Sequence, residues 1–178
     1  MNTLTLIKIL LTVPWLIALS LRDIKKHELP NKLLLAVALA ALPVTLAGGM
    51  DYFLLSLVTA FLSSLFLLLP FFLRAAGAGD VKMLFVAGFI AGPGNTLNLI
   101  LLISFAGLFL AVIMLLLKKT NPARLKHYCR CLFDFTYDRA AGKKALPSAG
   151  DESCRVPFGV AIAAGLILNL LVQYFYSL

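Results

Sequence analysis

Charge is what this chain has least of. Only 13% of its 178 residues are Asp, Glu, Lys or Arg, against about 25% in an ordinary soluble domain. With 61% hydrophobic residues and a mean hydropathy of +0.97, that scarcity excludes a water-soluble globular protein. Cysteine is also sparse: Cys129, Cys131 and Cys154 include no Cys-x-x-Cys pair. Zinc with standard ligand spacing is therefore not expected, His127 beside them notwithstanding, and the thiols are expected to stay reduced. Acid is the rarer sign, with 8 Asp and Glu against 16 Lys and Arg and a net charge of +8. No basic stretch is interleaved with aromatics on a soluble fold, so nucleic-acid binding is not expected either. There is no internal repeat, and no low-complexity tract beyond the apolar bias.

What remains is a series of long apolar runs, interrupted by charges and by Pro and Gly. They predict spans at Leu4–Leu21, Lys32–Ala47, Tyr52–Leu73, Val81–Gly92, Leu97–Leu117 and Val156–Tyr176. A full crossing takes about 20 apolar residues at about 1.5 Å each. Five runs come near that length and Val81–Gly92 does not, at roughly 18 Å. The expected fold is an all-α membrane bundle of about six helices with a short fourth, forming one domain over residues 1–178. The first run lacks a basic flank before it and a small-residue cleavage site after it, so it reads as a retained span rather than a signal peptide.

The bases define an orientation. The connections at 22–31, 74–80 and 118–155, with the span-edge residues Lys32 and Lys82, hold every Lys and Arg except Lys8. The positive-inside rule places that side in the cytoplasm and both termini outside. The basic surplus is also suited to anionic lipid headgroups. Lys8 is expected to snorkel to the outer interface, and Trp15, Tyr52, Tyr174 and Tyr176 to occupy span or belt positions. Pro14, Pro43 and Pro70 are tolerable inside membrane helices. Pro122–Tyr137 is expected to be either an interfacial helix or a lid over the acids.

Two acids stand at helix ends on the basic side. Asp23, in "LRDIKKHELPNK", closes the first span; Pro30 marks the start of the second and disfavours α conformation at Leu29. Asp80, in "RAAGAGDVKML", opens the fourth, preceded by small residues that permit close approach and unusual backbone angles. Acids at a membrane rim are costly, and either pair with something or do chemistry. One reading is structural: Asp23 paired with Arg22 or Lys26, and Asp80 with Lys82. The other is catalytic: two carboxylates in proximity do not both ionise, so one donates a proton while the other activates water.

These stretches resemble the two signatures of the prepilin peptidases, GxGD-type membrane aspartic proteases that remove leader peptides from type IV pilin-like precursors. "D-I-K-K-H-E-L-P-N" at 23–31 and "G-A-G-D-V-K" at 77–82 carry the resemblance, and "V-P-F-G-V-A-I-A-A-G" at 156–165 is similar to the opening of the family's last helix. The resemblance implies a catalytic pair of Asp23 and Asp80, with Gly77 and Gly79 shaping the loop beneath Asp80. It implies supporting roles for Lys82, Pro30 and Asn31. It implies a short, peptidase-only form similar to those serving Flp or tight-adherence pili, without the Cys-x-x-Cys domain linked to methyl transfer. No metal and no cofactor are implied. The partner would be a pilin-like precursor with a basic leader and an apolar helix, cut near the cytoplasmic surface. Helix dipoles make Asp80, at a helix start, the base and Asp23, at a helix end, the protonated partner. Gly88 and Gly92 form a G-x-x-x-G pair, expected to serve packing inside the bundle, with contact to the precursor's helix as the alternative. Two competing functions are a small ion- or proton-coupled transporter and a non-catalytic membrane assembly subunit. A transporter should place its acids at mid-membrane and show repeat symmetry, and this chain does neither.

Overall fold

The computed structural model describes residues 2–26, 30–72, 77–116 and 158–176. These form six α-helices: α1 (Asn2–Lys26), α2 (Asn31–Ala47), α3 (Met50–Phe72), α4 (Ala78–Ala91), α5 (Thr96–Leu116) and α6 (Phe158–Tyr176). No strand occurs among the described residues, and the expected all-α membrane bundle is what the chain forms. The expectations for Cys129, Cys131, Cys154, His127, Pro122–Tyr137 and the 118–155 connection lie outside the described residues.

Apolar composition on every side of these helices is what a bilayer demands, since backbone groups must bond within each segment. Four of them, α1, α3, α5 and α6, are long and apolar enough to cross. Helix α2 has 17 residues and α4 has 14, about 26 and 21 Å. Helix α4 runs through the middle, packed against α3, α6, α2 and α5. Met83, Leu84, Ala87, Phe89, Ile90 and Ala91 are all buried, so its neighbours rather than lipid solvate most of its surface. The outer helices meet lipid instead, through side chains such as Leu10, Phe61, Phe105 and Phe109.

Helix boundaries follow local chemistry. Pro30 is the N-cap of α2, extended at φ −68° and ψ 125°, and its carbonyl accepts from the N–H groups of Leu33 and Leu34 at 3.0 and 3.3 Å. The apolar run of α1 ends at Leu21, yet the helix continues to Lys26. Arg and Lys are good helix formers, so loss of hydrophobicity does not end the hydrogen-bond ladder. Helix α4 stops at Gly92, whose φ of +83° suits glycine alone, and a Cβ there would also strike the Tyr52 hydroxyl.

Polar contacts at the two ends of the bundle establish that successive helices run in opposite directions. At one end the Lys8 ammonium donates to the Tyr52 hydroxyl and to the Ile90 carbonyl, both at 2.9 Å. At that end too, Gln173 Nε2 donates to the Ala91 carbonyl at 3.0 Å. At the other end Lys82 Nζ donates to Asn31 Oδ1 at 3.2 Å.

The structure corrects the expectation for Lys8. It does not snorkel outward; it is 3% exposed and faces the core, 4.9 Å from the centroid of the Tyr52 ring. Tyr52, of the two positions expected for it, occupies the span one, as the half-buried partner of Lys8 in the first turn of α3. The cause is a carbonyl at the C-terminal end of α4 within reach, an acceptor with no intrahelical donor. Lys8→Met should therefore destabilise the bundle by about 1–3 kcal/mol, because it strands two polar groups. Thermal unfolding in detergent measures this. Tyr52→Phe should cost less, and should add little on top of Lys8→Met, since both remove the same contact.

Candidate functional site

Helix α1 buries one stripe. Lys8, Thr12, Leu16, Leu19 and Asp23 are all buried, and their spacing of three or four residues puts them on one face. Asp23 thus lies on the seam that packs against α2 and α6, in the last turn of its helix and 4% exposed. A carboxyl group placed there costs far more than one at the surface, which argues against an incidental position.

Asp80 belongs to the first turn of α4 and is half-buried. Its Oδ2 accepts from the backbone N–H of Gly77 at 3.0 Å. The Asp80 N–H in turn donates to the Gly77 carbonyl at 3.1 Å. This reciprocal cap satisfies an otherwise orphaned donor and places a carboxylate at the positive end of the helix dipole.

Of the two reasons the sequence offers for Gly77, close approach and unusual backbone angles, the structure shows the first. The Gly77 φ of −83° and ψ of 154° are open to any residue, so no unusual backbone angle requires glycine. A Cβ there would instead stand 3.3 Å from Asp80 Oδ2, tighter than ordinary contact. The glycine lets the carboxylate lie close over the backbone. Gly79 is not part of a loop beneath Asp80: helix α4 begins at Ala78, and Gly79 is in its first turn. Gly77→Ala is expected to leave α4 folded and to displace the Asp80 carboxylate by a few tenths of an ångström. If the Asp80 carboxylate takes part in chemistry, activity should fall without a matching fall in melting temperature, by less than the loss of about 10²-fold that a misplacement of about 1 Å can cost.

Lys82 is directed to α2. Residues two apart, as it and Asp80 are, point to different sides of a helix, and Lys82 reaches Asn31 on α2. This bond joins the second motif to the first, with Pro30 fixing the turn that presents Asn31. Asp23 and Asp80 stand at the same end of the bundle, on α1 and α4, which each pack against both α2 and α6. Gly88 of the G-x-x-x-G pair packs inside the bundle: a Cβ there would meet Ala60 Cα at 2.8 Å and the Thr59 carbonyl at 2.9 Å.

A sequence model described as the type IV leader peptidase family matches residues 10–112, more than half of the chain and inclusive of both acids. No curated protein and no solved structure matches.

Proposed function

Since this chain belongs to the type IV leader peptidase family and is thereby a prepilin-type leader peptidase of the membrane, we propose that Asp23 and Asp80 are its catalytic pair. The reaction is hydrolysis of a leader-peptide bond in a pilin-like precursor, of the Flp type, at the cytoplasmic face. The observation that carries this reading is the common end of the bundle on which the two motif acids stand, one buried on the inner seam of α1 and one capping α4. The surplus of Lys and Arg on that side of the sequence supports its cytoplasmic orientation.

In this scheme Asp80 is the base, with the dipole of α4 and the Gly77 N–H favouring its carboxylate. It takes a proton from water as the water oxygen adds to the scissile carbonyl carbon. Asp23, at the negative end of α1, holds a proton and gives it to the carbonyl oxygen. Collapse of the resulting gem-diol breaks the C–N bond as Asp80 gives its proton to the leaving amine nitrogen and a diol hydroxyl returns one to Asp23. No covalent enzyme intermediate forms. Lys82, Asn31 and Pro30 hold the ends of α2 and α4 together and so act as positioning residues. Coexpression with an Flp-type precursor tests the scheme: wild type should convert the precursor to a faster-migrating band. Conversion by well-folded Asp23→Asn or Asp80→Asn would refute it.

A further inference from the structure

Lys8 and Asp23 lie on the same inward stripe of α1, towards its two ends. The outward side of that helix is apolar too, through Leu6, Leu10, Ile17 and Leu21. Lipid solvates an apolar side chain as well as a neighbouring helix does, so apolar residues alone do not decide which face of α1 turns inward or how deep it sits. Thr12 of the stripe donates to the Lys8 carbonyl of its own helix at 2.6 Å and is satisfied on either face. An ammonium does decide, because turning it to lipid is costly. We propose that Lys8 is a positioning residue for the reaction: fastened to the C-terminal end of α4, it sets the rotation and depth of α1, and through them the place of Asp23 relative to Asp80. The inference rests on the leader-peptidase reading and adds what aligns the two acids.

Three observations carry it. The first is the identity of the acceptor. The Ile90 carbonyl, 2.9 Å from Lys8 Nζ, belongs to the helix that opens with Asp80, so one bond ties the two acid-bearing helices together. The second is what that bond adds. The backbones of α1 and α4 scarcely approach each other, and the packing between them runs through α2 and α6. Apolar contacts of that indirect kind can re-seat by changes of rotamer, whereas a hydrogen bond weakens steeply once its geometry departs from the ideal. The third is the fit of the seat. Gly92 leaves room for the ammonium: a Cβ there would stand 3.3 Å from Lys8 Nζ and would strike the Tyr52 hydroxyl. That hydroxyl accepts from Lys8 at 2.9 Å and comes from the first turn of α3, which packs extensively on α4. Both acceptors therefore move with α4. A screw slip of α1 by one residue would carry Asp23 about 1.5 Å along the axis and about 100° around it.

The test compares Lys8→Met with Leu99→Ala, which opens a cavity in α5, a helix without substantial packing on α1. Both variants lose core interactions, and only the first releases α1. Each full-length protein is reconstituted with a membrane-embedded precursor and assayed well below its melting temperature. Lys8→Met should lower kcat by about 10–10²-fold with KM little changed, because the acids are misplaced while the contacts to substrate persist. Leu99→Ala should stay near wild type. A second reading needs no activity. Spin-labelled cysteines replace the exposed Ile24 and Ala78, at the ends of α1 and α4 that carry the acids, with Cys129, Cys131 and Cys154 changed to Ser. Lys8→Met should shift or broaden the distance between the labels, and Leu99→Ala should not. An unaltered distance, an unaltered kcat, or an equal effect of Leu99→Ala on either measure overturns the inference. Should Asp23→Asn and Asp80→Asn cleave normally while Lys8→Met still alters the distance, the hydrolytic scheme fails and the anchoring of α1 stands.

Discussion

Asp23→Asn and Asp80→Asn should each slow precursor cleavage by at least about 10²-fold, toward the upper part of the 10²–10⁴-fold range of general acid–base catalysis. The bundle should remain folded, and the structure explains why. In Asp80→Asn the amide oxygen can still accept from the Gly77 N–H, so the cap at 3.0 Å need not be lost. At position 23, Asn keeps the volume and polarity of a residue that is 4% exposed. Each amide removes a group that binds and releases a proton and little else. Ala at either position would confuse the two effects, by uncapping α4 or by opening a cavity in the α1 seam. Gel mobility of the precursor gives the rate, and melting in detergent gives the fold. A pair of Asn variants that melt like wild type yet do not cleave is the expected outcome. Because the two acids act as one unit, the double variant should be scarcely worse than either single one.

Gly88→Leu should cause a large loss of stability. A Cβ alone would come within 2.8 Å of Ala60 Cα and 2.9 Å of the Thr59 carbonyl, both backbone atoms. Side chains can rotate away from such a contact, but a helix backbone moves only as a whole. Helices α3 and α4 would have to separate, breaking the edge-to-face contacts of Phe53 with Phe89 and Phe61 with Phe85. Overpacking costs about 1–3 kcal/mol where side chains can yield, and the loss here should lie at or above the top of that range. The control is Ala164→Leu on the exposed face of α6, expected to stay within about 0.5 kcal/mol of wild type. Equal melting of the two variants would show that the α3–α4 crossing is not close. Since α4 carries Asp80, Gly88→Leu should also reduce cleavage by whatever protein remains folded.

Most of the helical architecture can be read from the sequence because a membrane leaves little choice. Apolar runs broken at Pro30 and at Pro93–Gly94 allow only helices, and the bounds at Asn31, Ala47 and Ala91 fall within a residue of those expected. The two acids can be found for the same reason, since a carboxylate at the edge of such a run is conspicuous. Contacts between distant positions are not readable. Lys8 alone looks like a snorkelling residue; its inward direction depends on Tyr52 and Ile90, 44 and 82 positions away. One signal is present: Lys8 shares a helical face with Thr12, Leu16, Leu19 and Asp23. An inward Asp23 turns Lys8 inward as well. Gly77 is a similar case, because the sequence offers both close approach and backbone freedom, and only the position of the Asp80 carboxylate selects the first.

The shortness of α2 has a consequence for the surrounding lipid. Through Leu35, Leu39, Leu42 and Leu46 this helix presents roughly 26 Å where the hydrocarbon is about 30 Å thick, and it does so on one flank only. Such a mismatch is relieved by a dimple in the leaflet, at a modest cost per ångström. Headgroups and their hydration water would descend on that flank, and under the proposed scheme they would bring the reactant that hydrolysis consumes closer to a bond otherwise held in oil.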